Sequence, residues 1–245
     1  LTFSCVSSTP HRTIAITMDD LPYAGQDIAS LPDATRVTTS LIAAFRKRHV
    51  SADIFIVGKL VEIKGQEDAR RALLGQWMAA GHRLHNHGYS HRRFSIVPTA
   101  KYIADVRRGE SLVQALRTSR PDRPSYEAFF RAPYNDWGKT NEYHQALLTA
   151  LADDGVRLAP YTVDHSDWQF NDVYTAALAR GDQAEAQRVG QAYLAQLDAA
   201  MTFAESVSRE TFKREIPQVL IIHANAINAA YLGDTLKKLK ARGYR

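Results

Sequence analysis

The sequence predicts an α/β fold, a distorted (β/α) barrel of seven or eight parallel strands, open or closed, with a helical insertion before the last strands. Two observations carry this. Short apolar runs of strand character alternate with longer runs of helical period, the pattern of a parallel sheet wrapped by helices. Polar, reactive residues then close five of the apolar runs, and in parallel barrels functional side chains gather at the C-terminal strand ends. No linker or repeat interrupts the pattern, so residues 12–245 read as one domain. A chain of 245 residues, 45% hydrophobic and 23% charged, is long enough for one barrel core.

The elements follow in order. TIAITM (13–18) alternates Ile14, Ile16 and Met18 with smaller or polar residues and reads as a strand. Pro32-Asp33 opens a helix, with Asp33 as the expected N-cap and Val37, Leu41, Ala44 and Phe45 on one face. ADIFIVG (52–58) is a second buried strand. A helix carrying Leu73, Leu74 and Trp77 then stops at Gly81. HRLHNH is a short third strand running into a loop. Thr99 to about Ser119 is helical, with Ile103, Val106, Val113 and Leu116 inward. YEAFFRAPY is strand then loop, residues 141–153 are helical, and GVRLAPYTVD is another strand. Asp182 and Glu185 begin a long helix with a capping-box pattern. QVLIIH is the next strand, and a last helix carries Leu232, Leu236 and Leu239. Only Tyr244-Arg245 follows, where a further strand is expected, so either the barrel is open or the chain is part of a longer one.

Composition narrows the function. The net charge is +5, an ordinary solvated surface, and no Lys/Arg block interleaved with aromatics points to nucleic acid. No apolar run approaches the roughly 20 residues that span a bilayer. The single cysteine, Cys5, excludes an internal disulfide. The start, LTFSCVSSTPHR, is Ser/Thr-rich without a basic leader region. It reads as the remnant of a removed signal peptide or of cloning. Residues 1–11 are expected outside the fold and the protein is expected to be secreted or periplasmic.

The chemistry sits at the strand ends. Asp19 and Asp20 follow the first strand, His87 and His91 the third, Arg131 and Tyr134 follow AFF, Asp164 and Asp167 follow PYTV, and His223 closes VLII. Four of the nine histidines lie within residues 81–91. His87 and His91, four apart, can present two imidazoles to one ion. With one carboxylate they make a His/His/Asp set with coordination positions open for water and substrate. His82, beside Gly81, reads as structural, and His85 as a supporting or satisfied buried histidine. Side chains of consecutive extended residues point opposite ways. Asp19 and Asp20 are therefore expected to divide the work, one as ligand and one as general base. The segment from Gln169 to about Pro217 is longer than a simple crossing needs. Its helix would either cap the strand ends and narrow the groove or stand in for a barrel helix outside.

The motifs TMDD, HGYSH, RAPY, DHSDW and LIIH, in this order between residues 17 and 223, resemble those of the polysaccharide deacetylase family, carbohydrate esterase family four, the chitooligosaccharide deacetylase-like (NodB-like) enzymes. The resemblance implies a distorted (β/α) barrel that removes acetyl groups from N-acetylglucosamine polymers or acetylated xylan with one divalent metal, zinc foremost, with cobalt, manganese and nickel as alternatives. It implies Asp19 as catalytic base, Asp20, His87 and His91 as metal ligands, and Arg131 as the partner of the base. It matches Tyr134 to the oxyanion-binding N–H, Asp167 and Trp168 to the pair behind the catalytic histidine and along the groove, His223 to the general acid, and Leu220, at the start of that histidine's motif, to a substrate-binding position on the wall with Tyr134 and Trp168. Met18, Leu21-Pro22, His85 and Gly88 depart from the family's usual residues, and none of these departures removes a reactive group. His165 is a rival acid. Trp137 could stack on a sugar or pack in the core, and Trp77 reads as core. The implied partner is an acetylated carbohydrate. Two other readings stay open, an amidase for a non-sugar amide and a non-catalytic carbohydrate-binding module.

Overall fold

The computed structural model of the protein describes residues 12–119 and 125–245. The expectation that residues 1–11 lie outside the fold falls outside the described residues. The elements are β1 (Ile14–Leu21), α1 (Leu31–Arg48), β2 (Asp53–Ile56), α2 (Gly58–Val61), α3 (Glu67–Ala79), β3 (Arg83–Asn86), α4 (Thr99–Thr118), β4 (Ala128–Phe130), α5 (Asn141–Asp153), β5 (Val156–Leu158), β6 (Val163–Asp164), α6 (Asp167–Ala179), α7 (Gln183–Phe212), β7 (Gln218–His223) and α8 (Ala226–Ala241).

Seven strands among the described residues pair in parallel in the order β5-β4-β3-β2-β1-β7-β6. β5 and β6 are the two edges, so the barrel is an open half-barrel with helices around it. GVRLAPYTVD, expected as one strand, is two. Pro160 has no N–H for a ladder, and the chain crosses there from one edge of the sheet to the other. The start of the crossing is tied down by a side chain: Arg131 donates from Nε to the Ala159 carbonyl at 3.2 Å and from Nη2 to the Pro160 carbonyl at 3.4 Å.

The period of two in β1 decides which side each residue takes. Ile16 and Met18 join the core between sheet and helices, with Leu41, Phe45, Leu74, Leu220 and Ile222. Thr17 and Asp19 are buried polar residues on the other face. Fully burying each large apolar side chain contributes about 1.5–3 kcal/mol. Trp77 is core, edge-on to Phe45 at 6.1 Å and to His82 at 4.8 Å. A second cluster, with Phe94 stacked on Tyr102 at 4.2 Å, lies under β4 and β5. Tyr102 and Val106 face inward from α4, whereas Ile103 is only half-buried.

Two helix starts differ from expectation. The cap of α1 is Ser30, whose hydroxyl accepts from the Asp33 N–H at 3.3 Å, so Asp33 sits in the first turn. α6 opens at Asp167, where the sequence reads as a loop motif followed by a long crossing. The cap of α7 is Asp182, accepting from the Glu185 N–H at 2.9 Å. Leu197, Met201 and Ala204 of α7 join the core with β7, so this helix packs on the outside of the sheet and does not cover the strand ends. Only the start of α6 reaches them.

Candidate active site

The end of β1 is bent. Its register with β2 slips between Met18 and Leu21, and Asp20 has φ 63°. The left-handed region costs an L-residue roughly 1–2 kcal/mol, with Asp among the residues that visit it most readily. The bend corrects the expectation that adjacent aspartates point apart. Asp19 Oδ2 lies 3.5 Å and Asp20 Oδ1 3.6 Å from the same atom, His87 Nε2.

His87 and His91 enter on the loop after β3. Asn86 ties its start, donating to the Val106 carbonyl and accepting from the Gly88 N–H at 2.8 Å. Asp105 of α4 accepts from the N–H groups of Tyr89 and Ser90, both at 3.0 Å. Gly88 has φ +74°, which suits the residue that stands there. The loop folds the two imidazoles to a centroid distance of 5.0 Å.

Asp20, His87 and His91 each offer one donor atom, and all three lie within 4.8 Å of one another. Asp20 Oδ1 is 3.1 Å from His91 Nε2, yet this buried oxygen has no hydrogen-bond partner. His87 Nδ1 lies 2.8 Å from the Arg131 carbonyl. A carbonyl only accepts, so Nδ1 carries the proton. Burial pushes the His87 pKa down, with Asp19 and Asp20 opposing. The neutral ring therefore turns a bare Nε2 lone pair toward two carboxylates, an arrangement that a cation satisfies. Bonds of about 2.0–2.2 Å at tetrahedral or right angles separate ligand atoms by about 3.0–3.5 Å. The donor set fits a divalent ion. Burial raises the Asp20 carboxyl, but the contact with His91 and the neighbouring imidazoles outweigh it and hold the group well below the usual range.

Asp19 is fixed by Arg131. Arg131 Nη1 donates to Asp19 Oδ1 and to Thr17 Oγ1, both at 2.8 Å, and Thr17 passes its own proton to the Leu220 carbonyl at 2.8 Å. Both members of the ion pair are buried. Oδ1 is held, and Oδ2 is left facing the donor set.

His223 stands at the end of β7, in register with Asp19 on the neighbouring strand. Its Nδ1 is 2.8 Å from Asp167 Oδ1, and its N–H donates to Asp167 Oδ2 at 2.9 Å. Asn225 and Asn228 add side-chain donors to Oδ2 at 2.8 and 2.5 Å. Tyr193 donates in turn to Asn228 Oδ1 at 2.7 Å. Burial favours a neutral His223, but the Asp167 charge and hydrogen bond outweigh it, with Asp20 and Asp19 adding, and its pKa rises to about 10.

Asp19, Asp20, His87, His91, Arg131, Tyr134, Trp168 and His223 line one cavity of about 650 Å³, and Asp164 joins them. Tyr134 and Trp168 are 54% and 50% exposed, so they form its rim. Tyr134 and Asn135 both have positive φ in the turn after β4. Leu220 does not reach the cavity. It is fully buried in the core, because inward and outward positions alternate along β7, and Ile221 takes the lining position. Asp167 sits behind His223, not on the wall. His82 accepts from the Ala52 N–H at 3.0 Å, and its burial lowers the pKa to about 4. His85 is buried between Asp53 at 2.8 Å and the Phe129 N–H at 3.3 Å. Both are structural. His165 is fully buried against Tyr193, with neither ring nitrogen hydrogen-bonded, and lies off the wall. Trp137 bonds Asn135 and packs near His144. Thr17, Asn86, Asp105, Asn225 and Asn228 were not legible as site residues. Their types are common at caps and turns and carry no motif.

A family model described as polysaccharide deacetylase matches residues 7–141. No curated protein matches the chain. Among solved structures, the polysaccharide deacetylase of Bacillus cereus is 18% identical with a TM-score of 0.63, over 96% of this chain and 90% of that one. The peptidoglycan deacetylase of Bacillus subtilis is 17% identical with a TM-score of 0.59, over 96% and 87%. A CE4 family pseudoenzyme of Bacillus anthracis is 14% identical with a TM-score of 0.62, and the match takes in 96% of this chain but 63% of that protein. At these identities the likeness is one of fold.

Proposed function

The chain belongs to the polysaccharide deacetylase family, and from that premise we propose that it is a metal-dependent hydrolase removing N-acetyl or O-acetyl groups from a carbohydrate. The fold does not by itself carry activity, since a neighbour of the same fold is a pseudoenzyme. The observation that carries the proposal is the pairing around the donor set. A carboxylate held by an arginine, Asp19 with Arg131, and an imidazole held by a carboxylate, His223 with Asp167, line one cavity with Asp20, His87 and His91.

The family uses a divalent metal, and Asp20, His87 and His91 would hold it. Bound there, the ion would supply a Lewis acid for the acetyl carbonyl and bring a water's pKa toward neutrality. Asp19 Oδ2 takes the proton of the attacking water while Arg131 holds Oδ1 in place. The Tyr134 N–H is assigned to the developing oxyanion. His223 keeps Nδ1–H on Asp167 and gives its Nε2 proton to the departing amine or alkoxide. Trp168 offers its exposed ring to a sugar face. Zinc as the native ion and secretion of the protein belong to this same proposal, as does a catalytic domain spanning residues 12–245.

The test is acetate release from chitooligosaccharides, peptidoglycan and acetylxylan, each with zinc, with cobalt and after chelation. Release that EDTA abolishes and zinc restores supports the reading. Undiminished release by metal-free protein removes the metal. Turnover of simple amides alone favours an amidase, and binding without turnover a carbohydrate-binding module.

A further inference from the structure

We propose that Arg93 and Asn135 form a carboxylate-recognition wall, so that the preferred substrate is an acetylated carbohydrate bearing a carboxylate on or next to the acetylated sugar. The inference rests on the deacetylase reading and narrows its substrate class.

Both residues line the cavity. The Arg93 guanidinium carbon lies 4.1 Å from the centre of the Tyr134 ring, and that ring lies 4.6 Å from the His91 ring. The cation is thus held over an aromatic face one ring away from the donor set. A stacked guanidinium keeps its N–H edge for a planar anion. The Arg93 guanidinium makes no hydrogen bond or ion pair among the described residues, and Asp136, the carboxylate whose charge it feels, is committed to Ser95.

Asn135 adds directionality. The Trp137 indole N–H can only donate, so the atom it meets at 2.8 Å is the amide oxygen of Asn135. The NH₂ end of that amide is left to donate elsewhere. Arg93 therefore offers donors only, and Asn135 adds an NH₂ group beside an oxygen already engaged by Trp137.

The far wall has the opposite character. Asp164, Trp168 and Asp172 come from β6 and α6, on the other side of β1 in the sheet order. Arg93 and Asn135 come from the loops after β3 and β4. The acids on the wall nearest the reaction are already met, Asp19 by Arg131 and Asp20 by the imidazoles. An anionic substituent is welcomed at the β3–β4 side and repelled at the β6 side, which also fixes the direction in which a glycan lies.

The experiment uses three N-acetylglucosamine oligosaccharides of equal length: neutral, carrying a carboxyalkyl ether on the sugar next to the acetamide, and the methyl ester of that ether. The zinc-loaded protein is assayed for acetate release and, separately, for binding by calorimetry. A charged hydrogen bond predicts roughly tenfold higher kcat/KM and affinity for the acid than for its ester. Arg93→Gln should bring the acid to the level of the ester and flatten its salt dependence. Arg93→Lys should recover part of the preference, because a point charge replaces a planar fork. Equal handling of acid and ester by the native protein overturns the proposal, and so does an unchanged ratio in Arg93→Gln. If no substrate is deacetylated yet the acid binds preferentially through Arg93, the wall stands and the deacetylase reading falls.

Discussion

Asp167 and His223 meet at 2.8 Å, Oδ1 to Nδ1, inside a carboxylate whose other oxygen accepts three further donors. That is full use of a carboxylate's acceptor capacity in a place without solvent. The cost of burying the charge is offset by donors fixed in advance, and the charge is then available to hold a proton on His223.

The pair makes stability depend on pH in a set direction. His223 has a folded pKa raised from 6.5 to about 10. Its contribution is fully present below pH 6.5 and is lost as pH rises through about 10. Asp167 is depressed below 3.8: burial opposes the shift, and the His223 charge and hydrogen bond drive it. Its contribution is present above pH 3.8 and is lost as pH falls through the lowered value. Urea unfolding of metal-free native protein and His223→Gln should show a gap that closes between those alkaline limits. A gap that stays constant with pH would contradict the assignment.

The two aspartates of β1 should separate when zinc is titrated. Asp20→Asn replaces a charged ligand oxygen by a neutral one, so metal content falls at low zinc and activity returns in part at high zinc. Asp19→Asn keeps most of its metal and loses roughly 100- to 10,000-fold in rate, as general-base removal does. Metal content and rate measured on both variants decide the matter. Loss of metal from Asp19→Asn with retention in Asp20→Asn reverses the roles.

Asn228→Ala removes one donor from Asp167 and leaves the Tyr193 hydroxyl without that acceptor. The hydroxyl keeps Thr235 at 3.1 Å, and the loss of a hydrogen bond to a charged group costs about 1.5–3 kcal/mol. Thermal unfolding should register that loss. Asn228→Asp should be worse, since it places a second carboxylate against the first. A neutral Asn228→Ala would mean that Asn225 and the His223 N–H suffice.

His165 is the control. Both its nitrogens are buried without partners, and burial lowers its pKa, with the nearby Asp167 and Asp164 charges opposing. Exchanging an unsatisfied polar ring for an apolar one of like shape is neutral or stabilising. His165→Phe should keep its activity and its melting temperature or raise it. A collapse in kcat with unchanged stability would make His165 the acid in place of His223.

The periodic elements were legible because their period is set by burial. α5 and β7 fall at residues 141–153 and 218–223, as the sequence suggests. What escaped was set by single backbone angles and long-range partners. Asp20 turns both carboxylates onto His87 through one left-handed residue, and an aspartate there leaves no pattern. α6 was hidden because Asp167-Trp168 reads as a strand-end motif while also opening a helix. Leu220 was placed on the wall through its motif, although alternation along β7 gives that place to Ile221. Asn225 caps α8 as any asparagine does, and nothing in the chain marks it as a donor to Asp167.

The seam between β5 and β6 ties inheritance to architecture. Arg131 orients the base and also bridges the carbonyls of the crossing segment where no strand closes the barrel. A lysine has one nitrogen and cannot serve all of these acceptors. Breaking a buried ion pair by removing one partner costs about 3–5 kcal/mol. A descendant released from catalytic selection would thus discard the His223 ring, whose carboxylate partner keeps three other donors, before either member of the Arg131–Asp19 pair. Along such a lineage the ion pair records ancestry, and the acid records whether the enzyme still works.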